Sequence, residues 1–179
     1  MPAEGPPDAD LIARWRSGDE GAAAELVQRH TPALARFLAA AGARDDLDDL
    51  VQEAFFRAFR RIETFRGTAK FGTWLMAIAS NALKDLRRRS RGRTVLTLEE
   101  RDLPDQTADP HGEAVGRDML ERLEQAVQEL PLMQRDVFLM RAQQGAEYKE
   151  IAAALETSVG AARVHYHQAV KRLKAKLEK

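Results

Sequence analysis

The chain has 179 residues, which is enough for one medium-sized domain or two small ones. Its 28 basic and 28 acidic residues cancel, and the absence of cysteine excludes disulfides, thiolate metal sites and cysteine nucleophiles. No apolar run approaches the roughly 20 residues that cross a bilayer, and the N-terminal MPAEGPPDAD lacks the basic start and apolar core of a signal peptide, so we expect a cytoplasmic protein. Ala, Leu, Arg and Glu dominate over β-branched and aromatic residues, which favours an all-α fold.

The N-terminal part begins with residues 1–9, which are rich in proline and glycine and are predicted to be disordered. A short first helix, capped by Asp8 or Asp10, is followed by a break at residues 17–19. A second helix is predicted over residues 20–41, where apolar side chains recur at three- and four-residue steps, and Gly42 ends it.

The third helix has two distinct faces. Apolar residues at helical spacing over residues 47–62 form a broad face for the core. Asp49, Gln52, Glu53 and Phe56 recur on a second face. A phenylalanine beside acids is unusual on a face that meets only water, so a protein-binding face and a solvated helix face are equally open interpretations.

A loop over residues 64–70 precedes a fourth helix, which is predicted over residues 71–89 and ends in an arginine run. Residues 87–93 contain five arginines, a density that is typical of phosphate binding. Trp74 lies on the apolar stripe of this helix. A core position is therefore the favoured interpretation for Trp74, with stacking on a nucleic-acid base as the alternative.

Residues 91–116 have little helical period and are predicted to form a flexible acidic linker. It separates a first helical domain, residues 10–90, from a second, residues 117–179. In the second domain Pro131 suits the first turn of a helix, and Gly145 ends that helix.

The C-terminal segment has the pattern of a helix-turn-helix. A short helix over residues 148–155 is followed by a turn at Glu156 and Thr157, and Ser158 is a good N-cap for the last helix. One face of that helix is apolar (Val159, Ala162, Tyr166, Ala169, Val170 and Leu173), and the opposite face carries Arg163, His165, His167, Lys171 and Arg172. We expect the basic face to bind DNA, and a plain helical hairpin with a solvated basic face is the alternative. Two histidines two residues apart point to different helix faces, so no metal site is expected, and no cofactor.

Three blocks of this sequence together resemble the sigma factors of bacterial RNA polymerase, specifically the extracytoplasmic-function group. The first block is residues 46–55 (DLDDLVQEAF), and the second combines residues 65–67 (FRG) with residues 71–75 (FGTWL) and the helix that follows. The third runs from residues 130–139 (LPLMQRDVFL) to residues 158–160 (SVG). The resemblance covers nearly the whole chain and implies two helical domains, sigma region two and sigma region four, joined by the linker.

The resemblance implies an alternative sigma factor that performs no covalent chemistry. Such a protein binds the clamp and flap regions of core RNA polymerase, directs it to promoter DNA and helps to melt the start region. An anti-sigma factor is its usual additional partner. Carried onto this sequence, the polymerase-binding residues are Asp48, Asp49, Gln52, Glu53 and Phe56. The residues for the −10 element are Arg66, Lys70, Trp74, Asn81, Arg87 and Arg88, and those for the −35 element are Ser158, Arg163, His165, His167, Lys171 and Arg172.

Three positions depart from the family pattern. Glu156 stands where many relatives have glycine, and His165 and Gln168 stand where many have Lys or Arg. The resemblance also implies that the acidic linker passes toward the polymerase active-site cleft, and a solvated tether is the alternative. A stand-alone helix-turn-helix regulator is the competing function, and a helical adaptor that binds only proteins is a third hypothesis.

Overall fold

The computed structural model describes residues 5–94 and 114–178, and over those ranges the regular structure is entirely helical. This confirms the predicted all-α fold. The α-helices in chain order are α1 (Asp8–Arg16), α2 (Glu20–Ala40), α3 (Leu47–Arg60), α4 (Phe71–Thr94), α5 (Ala114–Gln128), α6 (Leu132–Gln144), α7 (Tyr148–Ala154) and α8 (Val159–Leu177), with one 3-10 turn at Ile62–Thr64.

Helices α1 to α4 form the first unit around an apolar core. Asp19 caps α2 by accepting hydrogen bonds from the backbone N–H groups of Gly21 (3.0 Å) and Ala22 (3.3 Å). The side chains that fill the core come from all four helices and include Leu11, Leu26, Phe37, Leu38, Leu50, Ala54, Phe71 and Leu75. This core fixes the angle at which α3 and α4 present their outer faces.

The start of α1 is ordered against α2. The helix begins at Asp8, inside the stretch predicted to be disordered, and its N-cap residue is Pro7 rather than either aspartate. The Arg29 guanidinium donates to the carbonyl of Pro6 and to the carboxylate of Asp8, both at 2.8 Å. Polar anchors on a neighbouring helix therefore hold a segment whose composition alone predicts disorder.

Helices α5 to α8 form the second unit. Pro131 lies at the N-cap of α6, and Gly145 ends that helix in the left-handed conformation with a φ of 61°. The Ser158 hydroxyl caps α8 by accepting a 3.0 Å hydrogen bond from the N–H of Ala161. The end of α6 and the start of α8 therefore follow the predicted capping signals.

The predicted linker, residues 91–116, is described only at its two ends. Thr94 at its start belongs to α4, and Ala114 near its end belongs to α5. Residues 95–113, which carry the acidic side chains of the linker, lie outside the described residues.

Glu156 lies in the turn between α7 and α8 and is the one described non-glycine residue with a positive φ, 53°. A β-carbon costs about 1–2 kcal/mol in this conformation, whereas glycine costs about 0.5–1 kcal/mol through the entropy of the unfolded chain. We therefore expect Glu156→Gly to raise the free energy of unfolding by about 0.5–1 kcal/mol, measured by urea denaturation. The control is Glu156→Ala, which keeps the β-carbon and should bring no gain. An equal gain from both variants would contradict the strain argument.

The two units pack against each other, with α4 against α6 and α7 and with α2 against α5 and α6. At the centre the Ser80 hydroxyl donates a 2.5 Å hydrogen bond to the carboxylate of Asp136, and both residues are buried. Near the end of α2, a β-carbon added at Gly42 would lie 3.2 Å from the side chain of Gln128 in α5. We call this packing the closed arrangement.

The interface of the closed arrangement is incompletely hydrogen-bonded. Gln134, Arg135 and Asp136 are consecutive buried polar residues of α6. Arg135 Nε and Asp136 Oδ1 have no hydrogen-bond partner and lie 3.9 Å apart as an ion pair, whereas Gln134 donates to Gln168 of α8 within the second unit. Each buried polar group without a partner costs on the order of 1–3 kcal/mol. The buried apolar residues of both units form one cluster, so these polar groups lie beside apolar contacts between the units.

Candidate polymerase and nucleic-acid interfaces

The outer face of α3 carries an exposed aromatic ring among acids. Phe56 is 57% exposed, and the guanidinium carbon of Arg60 lies 5.5 Å from its ring centroid. Asp48, Asp49 and Gln52 are exposed on the same helix. The predicted outward face therefore exists, and its role in polymerase binding stays a prediction.

Glu53 is the exception on this face because it is half-buried and bound to a neighbour. The guanidinium of Arg57 donates to the Glu53 carboxylate at 2.6 Å and to Asp85 of α4 at 2.9 Å. The hydrogen bonds to Glu53 and Asp85 raise the pKa of Arg57, and the hydrogen bond from Arg57 lowers the pKa of Asp85. This network ties α3 to α4 and fixes where the Glu53 carboxylate lies.

An aromatic cluster supports the segment predicted to bind the −10 element. The ring of Phe65 lies 5.1 Å from the Trp74 ring and 5.9 Å from the Phe71 ring, centroid to centroid. Trp74 is half-buried, so its contacts support the core interpretation while part of its surface is accessible. The other polar candidates before the arginine run (Arg66, Lys70 and Asn81) are all exposed.

The first two arginines of the run differ in what they contact. Arg87 is half-buried and donates a 2.7 Å hydrogen bond to the carbonyl of Ala41 at the end of α2. Arg88 is exposed. In the closed arrangement Arg88 is therefore better placed than Arg87 to reach a phosphate.

Helix α8 presents the predicted basic face to solvent. Arg163, His167, Lys171 and Arg172 are exposed, and the guanidinium carbon of Arg163 lies 5.7 Å from the ring centroid of Tyr148. The Gln168 side-chain carbonyl accepts a 2.8 Å hydrogen bond from Gln134 of α6, so this side chain is bound to the neighbouring helix.

Two residues of α8 differ from their predicted positions. His165 was predicted on the exposed face, but it is half-buried and its Nδ1 is buried without a hydrogen-bond partner. It follows Ala162 by three residues and precedes Ala169 by four, so it flanks the buried stripe. Val159 was predicted in that stripe, but it is 39% exposed in the first turn of the helix. The sequence analysis also missed Val164, which is 53% exposed among the basic residues.

The carboxyl group of Asp136, at the interface between the units, has a raised pKa. Burial raises the pKa of its carboxyl from 3.8 to about 6, against the opposing effects of Ser80, Arg135 and Arg87. In an open form this carboxyl would be solvated and keep its ordinary pKa. The closed arrangement is therefore stabilised by protonation, and this contribution is lost as the pH rises through about 6.

Because protonation of Asp136 favours the closed arrangement, we expect the equilibrium constant for closure to rise roughly tenfold when the pH falls from about 7 to about 5. Asp136→Asn should remove this pH dependence, because the amide does not titrate and its oxygen can still accept from Ser80. Two cysteines, one in each unit, can carry dyes for distance measurements because the native chain has no cysteine. The same pH response in both proteins would contradict the role of Asp136.

Within residues 5–94 and 114–178, no helix combines the length and apolar character that a membrane span needs. Over the same residues, no group of three or more His, Cys, Asp or Glu side chains is placed to hold a metal ion.

Comparison with known proteins agrees with this architecture. The Sigma-70 region 2 family matches residues 26–94, and the Sigma-70 region 4 family matches residues 120–173. The chain is 32% identical over 176 residues to the RNA polymerase sigma factor NccH of Alcaligenes xylosoxydans xylosoxydans, covering 96% of this chain and 95% of the relative. It is 29% identical over 165 residues to the ECF RNA polymerase sigma-E factor of Escherichia coli K12, covering 87% and 86%.

Two solved structures are also similar. CnrH in complex with the cytosolic domain of CnrY matches with a TM-score of 0.71 and 28% identity, covering 96% of this chain and 97% of that chain. The sigma factor RpoE of Bartonella quintana, in complex with the anti-sigma factor NepR, matches with a TM-score of 0.63 and 23% identity, covering 86% and 95%. The second likeness concerns the fold alone.

A four-helix unit followed by a helix-turn-helix unit, each matching its own sigma region, defines the class: the chain belongs to the Sigma-70 family. Within that family it is an alternative sigma factor of the extracytoplasmic-function group, which directs RNA polymerase to promoters.

Proposed function

We propose that this sigma factor divides promoter recognition among three surfaces. The exposed face of α3 around Phe56 docks on the polymerase clamp. The segment from Arg66 to Asn81 with Arg88 binds and opens the −10 element, and α8 binds the −35 element. The observation that carries this assignment is the position of an exposed acidic aromatic face and an exposed basic helix on two different helical units. The protein acts in the cytoplasm and catalyses no covalent step itself.

Promoter binding requires the two units to separate. The −10 and −35 elements are about 25 base pairs apart, which at about 3.4 Å per base pair is about 85 Å. A compact chain of this length is roughly 40 Å across. The closed arrangement also sets α7 beside the −10-binding segment, since Thr68 and Ala153 line one cleft between the units. We infer that the closed arrangement is inactive and that polymerase binds the open form.

A protein partner that favours the closed form is part of this proposal. CnrH was solved with the cytosolic domain of CnrY, and RpoE with the anti-sigma factor NepR. By analogy with CnrH, we propose that an anti-sigma factor holds this chain away from polymerase. The unpaired buried atoms of Arg135 and Asp136 disfavour the closed arrangement. A partner that binds the closed form better than the open form would shift the equilibrium toward closure.

Two arginines of α8 should have different effects on −35 binding. Arg163 lies near the start of the helix, where exposed residues face base edges, and Arg172 lies further along, where phosphates are expected. Arg172→Ala should weaken binding by a similar factor for all sequences, whereas Arg163→Ala should change the sequence preference. Selection from a randomised −35 library with the holoenzyme measures both effects. Identical preference profiles for the Arg163 variant and the wild type would contradict the assignment.

The proposed division of labour is tested by comparing the chain with and without core polymerase. Because the net charge is zero and the DNA-binding surfaces are on separate units, the free chain should bind promoter DNA weakly at physiological salt. With core polymerase it should co-elute in gel filtration and bind specific promoters tightly. Nanomolar promoter binding by the free chain would instead support the stand-alone regulator.

A further inference from the structure

An apolar side chain interrupts the basic face of α8. Val164 is 53% exposed and lies directly after Arg163. Gly160 precedes Val164 by four residues and His167 follows it by three, so the three positions share one exposed stripe of the helix. An exposed valine within a basic face gains stability if it is buried against an apolar group of whatever that face binds.

Gly160 in the same stripe has no structural reason to be glycine. It lies in the first turn of α8, and a β-carbon built there would have only the Ser158 hydroxyl within 4 Å, at 3.9 Å. Its φ is not in the left-handed region, so the backbone does not require glycine at this position. The missing side chain leaves the outer surface of the first turn of α8 open to close approach.

Together with Arg163, which lies three residues after Gly160, the stripe offers a guanidinium group, an apolar side chain and a position without a side chain. In the major groove the C5-methyl of thymine is the one apolar group on a base edge, and small apolar side chains contact it. Arg163 beside the valine is suited to a neighbouring guanine, which arginine contacts through two hydrogen bonds. Gly160 leaves room for the groove wall to approach the valine.

We propose that Val164 is a specificity-determining residue that receives the methyl group of one thymine in the −35 element, with Gly160 providing the space for that approach. The inference rests on the proposed −35 role of α8 and adds the base class that this residue recognises. Burial of one methyl group corresponds to about a fourfold change in binding. Val164 thus selects thymine over cytosine, and also over uracil, which differs from thymine only by the methyl group.

The test uses the holoenzyme and the best −35 sequence selected from a random library. Each thymine of that element, on either strand, is replaced in turn by deoxyuridine, and promoter affinity is measured. The wild type should lose about fourfold at one thymine. Val164→Ala, which lacks two methyl groups of the valine, should show a clearly smaller loss at that position. Val159→Ala, the matched control, should keep the wild-type loss, because Val159 lies roughly 140° around the helix axis from Val164.

A second variant separates folding from DNA contact. Gly160→Ala should raise the urea midpoint of the free protein and lower promoter affinity of the holoenzyme. If Gly160→Ala leaves promoter affinity unchanged, or if Val164→Ala keeps the same uracil sensitivity as the wild type, the inference is wrong. A wild type that is insensitive to uracil at every thymine also overturns it. If instead the holoenzyme selects no −35 sequence at all, the proposed function of α8 fails, and that result is distinct from the others.

Discussion

A covalent bridge across the cleft between the two units is expected to abolish promoter-specific transcription. Thr68 in the −10-binding segment and Ala153 in α7 line this cleft, and both are exposed. The double variant Thr68→Cys, Ala153→Cys has no competing thiols, because the native chain contains no cysteine. A short bis-maleimide linker would then hold the closed arrangement, and the two promoter elements about 85 Å apart could not be bound together.

Each single-cysteine variant, treated with the same reagent, is the matched control and should remain active. A linker with an internal disulfide adds a reversibility test, since a reductant should restore transcription. The measurement is the yield of run-off transcripts from a promoter with both elements. Full activity of the bridged protein would show that the units need not separate, and it would contradict the inactive role of the closed arrangement.

Removal of the exposed ring of α3 should have the second large effect. Phe56→Ala is expected to lower the affinity for core polymerase by about 30-fold, the scale of an aromatic hot spot worth about 2 kcal/mol. Because Phe56 is largely exposed in the free protein, the variant should unfold at nearly the same urea concentration as the wild type.

Leu120→Ala is a suitable control because Leu120 is 61% exposed but lies on α5 in the other unit. It tests whether any exposed apolar side chain has the same effect on clamp binding. Binding to an isolated clamp fragment, measured by calorimetry, should distinguish the two variants. Equal affinities of wild type and Phe56→Ala would place the polymerase interface elsewhere on the chain.

Local signals predicted the helices and their ends well. Periodic apolar residues identified α2, α3 and α8. As predicted, Gly145 ends α6 and Ser158 caps the start of α8. Predictions were less accurate where a side chain's environment depends on another helix. His165 is an example, because the amphipathic pattern of α8 does not show how closely the neighbouring helices cover its edge.

The contact between the two units could not be predicted from the sequence. Ser80 and Asp136 are 56 residues apart and lie in different units, and neither belongs to an apolar pattern. A buried carboxyl is indistinguishable in a sequence from a solvated one, so the raised pKa of Asp136 was also unforeseen. Val164 could have been found, because its spacing from Gly160 and His167 places a valine on the polar face.

The central claim is that this chain gives core polymerase the ability to start at promoters through two separated DNA contacts. Transcription by bacterial core polymerase from a promoter library, with and without the chain, measures this directly. We predict that start sites appear only with the chain, and only on DNA that carries both a −35 and a −10 element. Unchanged start sites after addition of the chain, without co-elution of the two proteins, would contradict the claim.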